Sequence, residues 1–194
     1  NLSKRMLWDV YLPPFKAAFD AGSLSTMAAF NDLSGIPATA NAWLMREVLR
    51  DDWHFGGLVV SDYTGDLEMV AHGYAKDARD AARLAFLAGV DMSMQSGLYR
   101  QYLPELVKAG DVPMERMDQA VRRVLAVKAK LGLFDDPYTP EAATANINSA
   151  AHRALALQAA EGFVRSLGDD FYFVAGRKPL NAAARCPQLS SHHR

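Results

Sequence analysis

Gly57-Leu58-Val59-Val60-Ser61-Asp62-Tyr63-Thr64-Gly65 is the stretch on which the fold of this chain turns. A short apolar, β-branched run bounded by glycines has the make-up of a buried strand, and its lack of polar alternation points to a parallel sheet. The run ends in a carboxylate followed by small, turn-forming residues. An acid at the C-terminal end of such a strand has no partner in the ladder. It either caps the next helix or faces a pocket as a catalytic group.

Outward from this strand, the flanking segments alternate in type. Upstream, Trp43, Leu44, Val48 and Leu49 recur at helical spacing within residues 41–53. Residues 31–37 have loop chemistry, and residues 24–30 are a strand candidate. Ser3 is placed to cap a first helix that runs through Leu7 and Val10 towards Phe19, with Pro13-Pro14 kinking or restarting it. Downstream, short helices are expected over about 66–72 and 77–87. Val90-Asp91-Met92-Ser93-Met94 follows as a third strand, and helices over 98–109 and 113–131 complete the series. Strand and helix alternating with short connections is the rhythm of an α/β protein with a parallel sheet. Three strands are too few for an eight-stranded barrel.

The last fifty-odd residues differ. Asp136-Pro137-Tyr138-Thr139-Pro140 reads as a turn and linker, and the Ala-rich residues 149–163 as a helix. Beyond Asp170 the chain has no acidic residue and neither periodicity, so a loose tail is expected.

Composition narrows the class. The chain has 194 residues, half of them hydrophobic, and a formal net charge of −1, which offers no electrostatic reason to propose nucleic acid or an anionic membrane as partner. Cys186 is the single cysteine, and no Cys/His spacing suits a metal. No apolar run approaches the roughly 18–20 residues of a membrane span. The chain opens on Asn1-Leu2-Ser3, already within a helical pattern, and is expected to be cut from something longer.

Several segments together resemble one family. They are Met27-Ala28-Ala29-Phe30-Asn31, Ser34-Gly35-Ile36-Pro37-Ala38-Thr39, Trp43-Leu44-Met45-Arg46-Glu47-Val48-Leu49-Arg50, Trp53-His54-Phe55-Gly56-Gly57 and Val60-Ser61-Asp62-Tyr63. Ala88-Gly89-Val90-Asp91-Met92-Ser93-Met94 and Gly132-Leu133-Phe134-Asp135-Asp136-Pro137-Tyr138 continue the pattern in order. They resemble family-3 glycoside hydrolases, most closely the bacterial periplasmic β-glucosidases. The resemblance implies that residues 1–138 are the last strands and helices of a TIM-like (β/α)8 barrel. Residues 139–194 would then be a linker helix and a divergent, loose tail.

The same resemblance implies retaining hydrolysis of terminal β-linked glucose with Asp62 as nucleophile, Tyr63 and Met27 lining the sugar site, and no cofactor or metal. Phe30 falls where many members carry a tyrosine and, without a hydroxyl, offers shape and stacking alone. The expected substrate is a β-glucoside or oligosaccharide, and the expected parent compartment is the periplasm or exterior. The family's upstream Asp, Arg and Lys-His sugar ligands would precede Asn1. Its acid/base glutamate lies in a later sandwich domain, and neither Glu141 nor Glu161 sits in matching context. The chain is expected to depart from the family near Glu161, through a frameshift or a truncated gene assembly, which translating the other two frames of the parent DNA tests. Alone, the chain is expected to turn over an aryl β-glucoside negligibly. The alternatives are a β-N-acetylglucosaminidase of the same family, which the Asp62-Tyr63 pair and the linker argue against, and an inactive piece with only binding or association activity.

Other residues have plainer readings. Asp91 ends an apolar run but is expected to be structural, and Asp32 and Asp66 are expected in turns and caps. His54, His72 and His152 read as isolated surface histidines. Met92 and Met94 fit core packing and the pocket rim. Trp43 and Trp53 are expected to anchor their helix. The Arg122, Arg123, Lys128 and Lys130 group is expected to be a solvated helix face.

Overall fold

Three parallel strands form the sheet that the apolar runs anticipate. In the computed structural model, which describes residues 2–140 and 147–166, β1 (Ser25–Met27), β4 (Leu58–Tyr63) and β5 (Met92–Met94) lie in the order β1-β4-β5. Met27 and Met92 both pair with Val60, so all three strands end on the same side. The chain divides into two units, Asn1–Pro137 and Tyr138–Arg194.

β4 is central because its flanks let it be. Gly57 enters it where a Cβ would overlap the Leu24 carbonyl oxygen and the Phe55 ring, so any side chain there would push the two strands apart. Val59 and Ser61 on one face are fully buried, whereas Leu58, Val60 and Asp62 on the other are only partly covered. Val59 joins Ala28, Met45, Leu49, Phe55 and Val90 in the core between sheet and helices. A side chain of that size contributes about 1.5–3 kcal/mol on burial.

Helices pack on the Val59 side. The first begins at α1 (Lys4–Met6), where Ser3 accepts the Met6 N–H, and runs through a π-helical stretch, Leu7–Tyr11, into α2 (Leu12–Asp20). Pro13 and Pro14 fall in the first turn of α2, where their lost N–H groups need no partner; this is the restart expected of them. A second π-helical segment, Trp43–Asp52, precedes β4. α3 (Glu68–Ala71) and α4 (Ala78–Ala88) follow β4, and α5 (Leu98–Lys108) and α6 (Met114–Lys130) follow β5. Ala81, Ala82, Ala85 and Phe86 of α4 form a second core with Leu98, Leu103 and Leu106 of α5. In the other unit α7 spans Ala150–Ser166. This is mixed α/β architecture with a parallel sheet, as a section of a TIM-like barrel requires.

Some expectations need correction. Residues 31–37 are not simply loop: β2 (Asp32–Leu33) and β3 (Ile36–Pro37) form a minimal antiparallel hairpin. Ser34 and Gly35, both at positive φ (54° and 80°), make the tight turn that matches strand twist. The strand expected over 24–30 is only Ser25–Met27. Trp43 and Trp53 anchor their helix against another helix, with Trp8 edge-on to both at 6.4 and 6.3 Å. The tail from residue 167 onward lies outside the described residues.

Candidate active site

The C-terminal edge of the sheet is built around an irregularity in β4. Val60 pairs with Met92 and Tyr63 with Met94, so Ser61 and Asp62 together oppose Ser93 alone. This bulge removes a ladder partner from Met94, and the Ser61 hydroxyl replaces it, accepting the Met94 N–H at 2.8 Å. Ser61 in turn donates to the Asp62 carbonyl at 2.9 Å, and Thr64 N–H donates to the Met94 carbonyl at 3.0 Å. The backbone on both sides of Asp62 is therefore tied to β5.

Asp62 lies on the sheet face opposite the helices, the same face as Val60, Met27 and Met92. Its carboxylate accepts the Tyr63 N–H at 2.7 Å, and its carbonyl accepts the Gly65 N–H at 2.9 Å. No cation pairs with it among the described residues, which leaves the second carboxylate oxygen for an incoming group. Tyr63, past the bulge, is 57 % exposed, and Met27 is 47 % exposed two positions below Asp62 in register. Phe30, three residues beyond β1, is also exposed at the same end. Topology thus brings Asp62, Tyr63 and Met27 to one edge, with Phe30 on the segment leaving it. Of the two places expected for Met92, core and pocket rim, it takes the second, exposed on this face.

Two other acids differ sharply from Asp62: Asp66, near this edge, and Asp91, which precedes β5 at the opposite end of the parallel strands. Asp91 is buried, accepts the Val59 N–H at 2.9 Å, and pairs with Arg50 at 2.9 Å and Arg123 at 2.8 Å. Its structural reading holds, but Arg123 departs from the solvated face assigned to it. Burial lowers the Arg50 guanidinium to about 10, with Asp91 opposing the shift, so it stays charged at neutral pH. Arg50 also donates to the carbonyls of Phe55 and Gly57 at 2.5 and 2.6 Å, clamping the approach to β4.

Asp66 lies in the turn expected of it but does more than shape it: it is fully buried, and its carboxylate accepts the Ser93 and Ser96 hydroxyls at 2.7 and 2.9 Å and the Leu67 N–H at 3.0 Å. Burial, with the Asp66 and Asp91 charges adding, pushes the Tyr99 phenol well above its ordinary value. It stays a donor to the Val90 carbonyl at 2.9 Å. Ser61, Ser93 and Ser96 were not singled out in the sequence; the faint signal is a serine near the C-terminal end of β4 and of β5. His72 is not isolated, since its Nδ1 lies 3.2 Å from Asp32. Among the described residues no three of His, Cys, Asp or Glu converge as metal ligands would.

Comparison with known proteins agrees with this architecture. The model for the glycosyl hydrolase family 3 N-terminal domain matches residues 1–127. The periplasmic β-glucosidase of Salmonella typhimurium is 50 % identical over 139 residues, covering 72 % of this chain and 18 % of that protein. A β-xylosidase of Formosa agariphila is 37 % identical over 181 residues, covering 88 % and 25 % respectively. The structure of the Listeria innocua β-glucosidase in complex with glucose superposes with a TM-score of 0.76 at 40 % identity, over 79 % of this chain and 21 % of that one. A mutant of the same enzyme in complex with laminaribiose matches with a TM-score of 0.74. The chain thus spans between 18 % and 25 % of the length of these curated relatives. With the parallel sheet, the bulged strand end and more than half the chain matched by one family model, this chain belongs to glycoside hydrolase family 3.

Proposed function

We infer that this chain supplies the nucleophile of a retaining glycosidase acting on terminal β-linked glucosyl residues. The observation that carries the reading is Asp62: a carboxylate without a cation partner among the described residues, on the uncovered sheet face, at the end of a strand pinned to its neighbour. Ionised Asp62 attacks the anomeric carbon, the bond to the leaving oxygen breaks, and a second carboxyl group about 5–5.5 Å away protonates that oxygen. Water then hydrolyses the glycosyl ester and returns Asp62 to its ionised form. Rigid placement of the attacking oxygen is what the bulge and its hydroxyl plug contribute.

Tyr63 and Met27 offer aromatic and apolar surface beside Asp62 for the C–H faces of a sugar, and Phe30 adds shape without a hydroxyl. The acid/base is assigned to no residue of this chain: Glu141 lies outside the described residues, and Glu161 belongs to α7 in the second unit. Residues 1–138 are read as catalytic-barrel sequence and 139–194 as a separate linker region. The β-glucosidase names of relatives, and the glucose and laminaribiose held by the Listeria innocua enzyme, support a glucoside substrate. A β-xyloside is the second reading, on the strength of the Formosa agariphila relative. The Salmonella typhimurium relative supports a periplasmic site of action.

Covalent trapping tests the reading without relying on rapid turnover. An activated 2-deoxy-2-fluoro-β-glucoside forms a slowly hydrolysed ester with the nucleophile. Mass spectrometry is expected to find one adduct, on the peptide containing Asp62, and none in Asp62→Asn. The 2-deoxy-2-fluoro-β-xyloside should label more slowly, as should a 5-fluoro analogue of N-acetylglucosamine. An adduct elsewhere, or equal labelling of the Asn variant, overturns the assignment.

A further inference from the structure

Asp66 is the buried group that the chemistry above does not use. It is fully buried, and no cation pairs with it among the described residues; its partners are two hydroxyls and one amide. Holding a carboxyl group in such a place is costly unless its oxygens are hydrogen-bonded, and here three donors engage both of them. The donors come from two places. Leu67 N–H belongs to the loop after β4, while Ser93 and Ser96 lie at the end of β5, 27 and 30 residues away. Ser96 also accepts the Leu98 N–H at 3.3 Å and so ties the start of α5 into the same knot.

Between this knot and Asp62 lie only Tyr63, Thr64 and Gly65. Thr64 sits at a φ of 54°, in the left-handed region that disfavours a β-branched residue. Such a conformation persists only where both sides are held. Upstream, the Thr64 N–H bond to the Met94 carbonyl holds it; downstream, Asp66 does. The same turn fixes the Tyr63 N–H that donates to the Asp62 carboxylate at 2.7 Å.

We propose that Asp66, through Ser93 and Ser96, is a positioning residue that locks the turn after β4 and so aims the Asp62 carboxylate at the sugar. This rests on the nucleophile reading of Asp62. A carboxylate suits the task because one oxygen serves the amide while the other takes both hydroxyls. Asparagine keeps the shape and lets the hydroxyls rotate to accept. Leucine keeps the volume and removes every bond.

The test uses the whole chain, Asp66→Asn and Asp66→Leu, and two readouts. In Asp66→Leu, amide exchange at Tyr63, Thr64 and Gly65 should quicken by about tenfold or more while exchange in α4 stays unchanged, as for local opening. The rate constant of labelling by the fluoroglucoside at saturation should fall by roughly 10- to 100-fold, with the half-saturating concentration within about threefold, since misplacement by an ångström has that scale of effect. Asp66→Asn should recover most of both. Faster exchange with unchanged labelling, or unchanged exchange in both variants, overturns the proposal. If Asp66→Leu does not fold, the Ser93→Ala/Ser96→Ala pair, which removes both hydroxyls and leaves Asp66 in place, should show the same paired loss, and no change in either readout overturns the proposal. If the unmodified chain is not labelled at all, the nucleophile reading falls separately, and the exchange rates alone then support or overturn the placement of Asp66.

Discussion

Asp62 and Asp91 show how far a residue's identity underdetermines its role. Both end an apolar run. Asp91 is enclosed by an amide and two guanidinium groups and has no lone pair to offer; Asp62 faces away from the helices with one oxygen committed. Removing Asp91 strands Arg50 and Arg123 beside a buried strand. Asp91→Ala is therefore expected to lower unfolding free energy by about 3–5 kcal/mol, read from urea titration. Gly57→Ala is expected to cost about 1–3 kcal/mol in the same assay, because the added carbon overlaps backbone that has nowhere to move. A structural Asp91 was expected, but its place in the run, shared with Asp62, did not reveal its partners 32 and 41 residues away. Nor were the roles of Asp66 and Arg123 legible, because their partners are 27 to 32 residues distant and pattern within a window cannot see them.

Among the elements, β4 was legible in outline: a short apolar, β-branched run between glycines fits a buried strand. The bulge was not, because it is a property of the pairing with β5. Ser61→Ala leaves the Met94 N–H without an acceptor, and a loss of about 1–3 kcal/mol is expected, with faster exchange at that amide.

α4 carries its own pH response. Burial alone would raise the Asp80 carboxyl, but hydrogen bonds from Arg83 and from the Lys76 N–H outweigh it and hold the group below its ordinary 3.8. The unfolded chain then binds the proton more tightly, so this stabilisation is present above about pH 3.8 and disappears as pH falls through the lower folded value. Urea midpoints measured from pH 5 to pH 2 should show a shallower acid decline in Asp80→Asn. The α4 boundaries were readable because Asp77 caps the Asp80 N–H at 2.8 Å, a local bond with a local signature.

At the scale of the whole molecule, helices among the described residues cover one sheet face and leave the other open. Met27, Val60 and Met92 line the uncovered face, with Met27 and Met92 each 47 % exposed. Contiguous apolar surface of this kind drives association. Concentration-dependent self-association is expected in sedimentation, and Met92→Ser should weaken it without a comparable loss of stability.

What the sequence determined alone is whatever follows from neighbours in the chain. Run lengths, caps and turn residues specified three strands and most of the helices, and the ordered motifs specified the family. The tertiary structure decided which face of β4 meets the helices, and therefore that Val59 and Ser61 are buried while Asp62 is open. It also decided that both oxygens of Asp66 and of Asp91 are engaged, while Asp62 has one open among the described residues. The physical reason is that a carboxylate's role depends on which donors reach it, and here the decisive donors arrive from strands and helices far away along the chain.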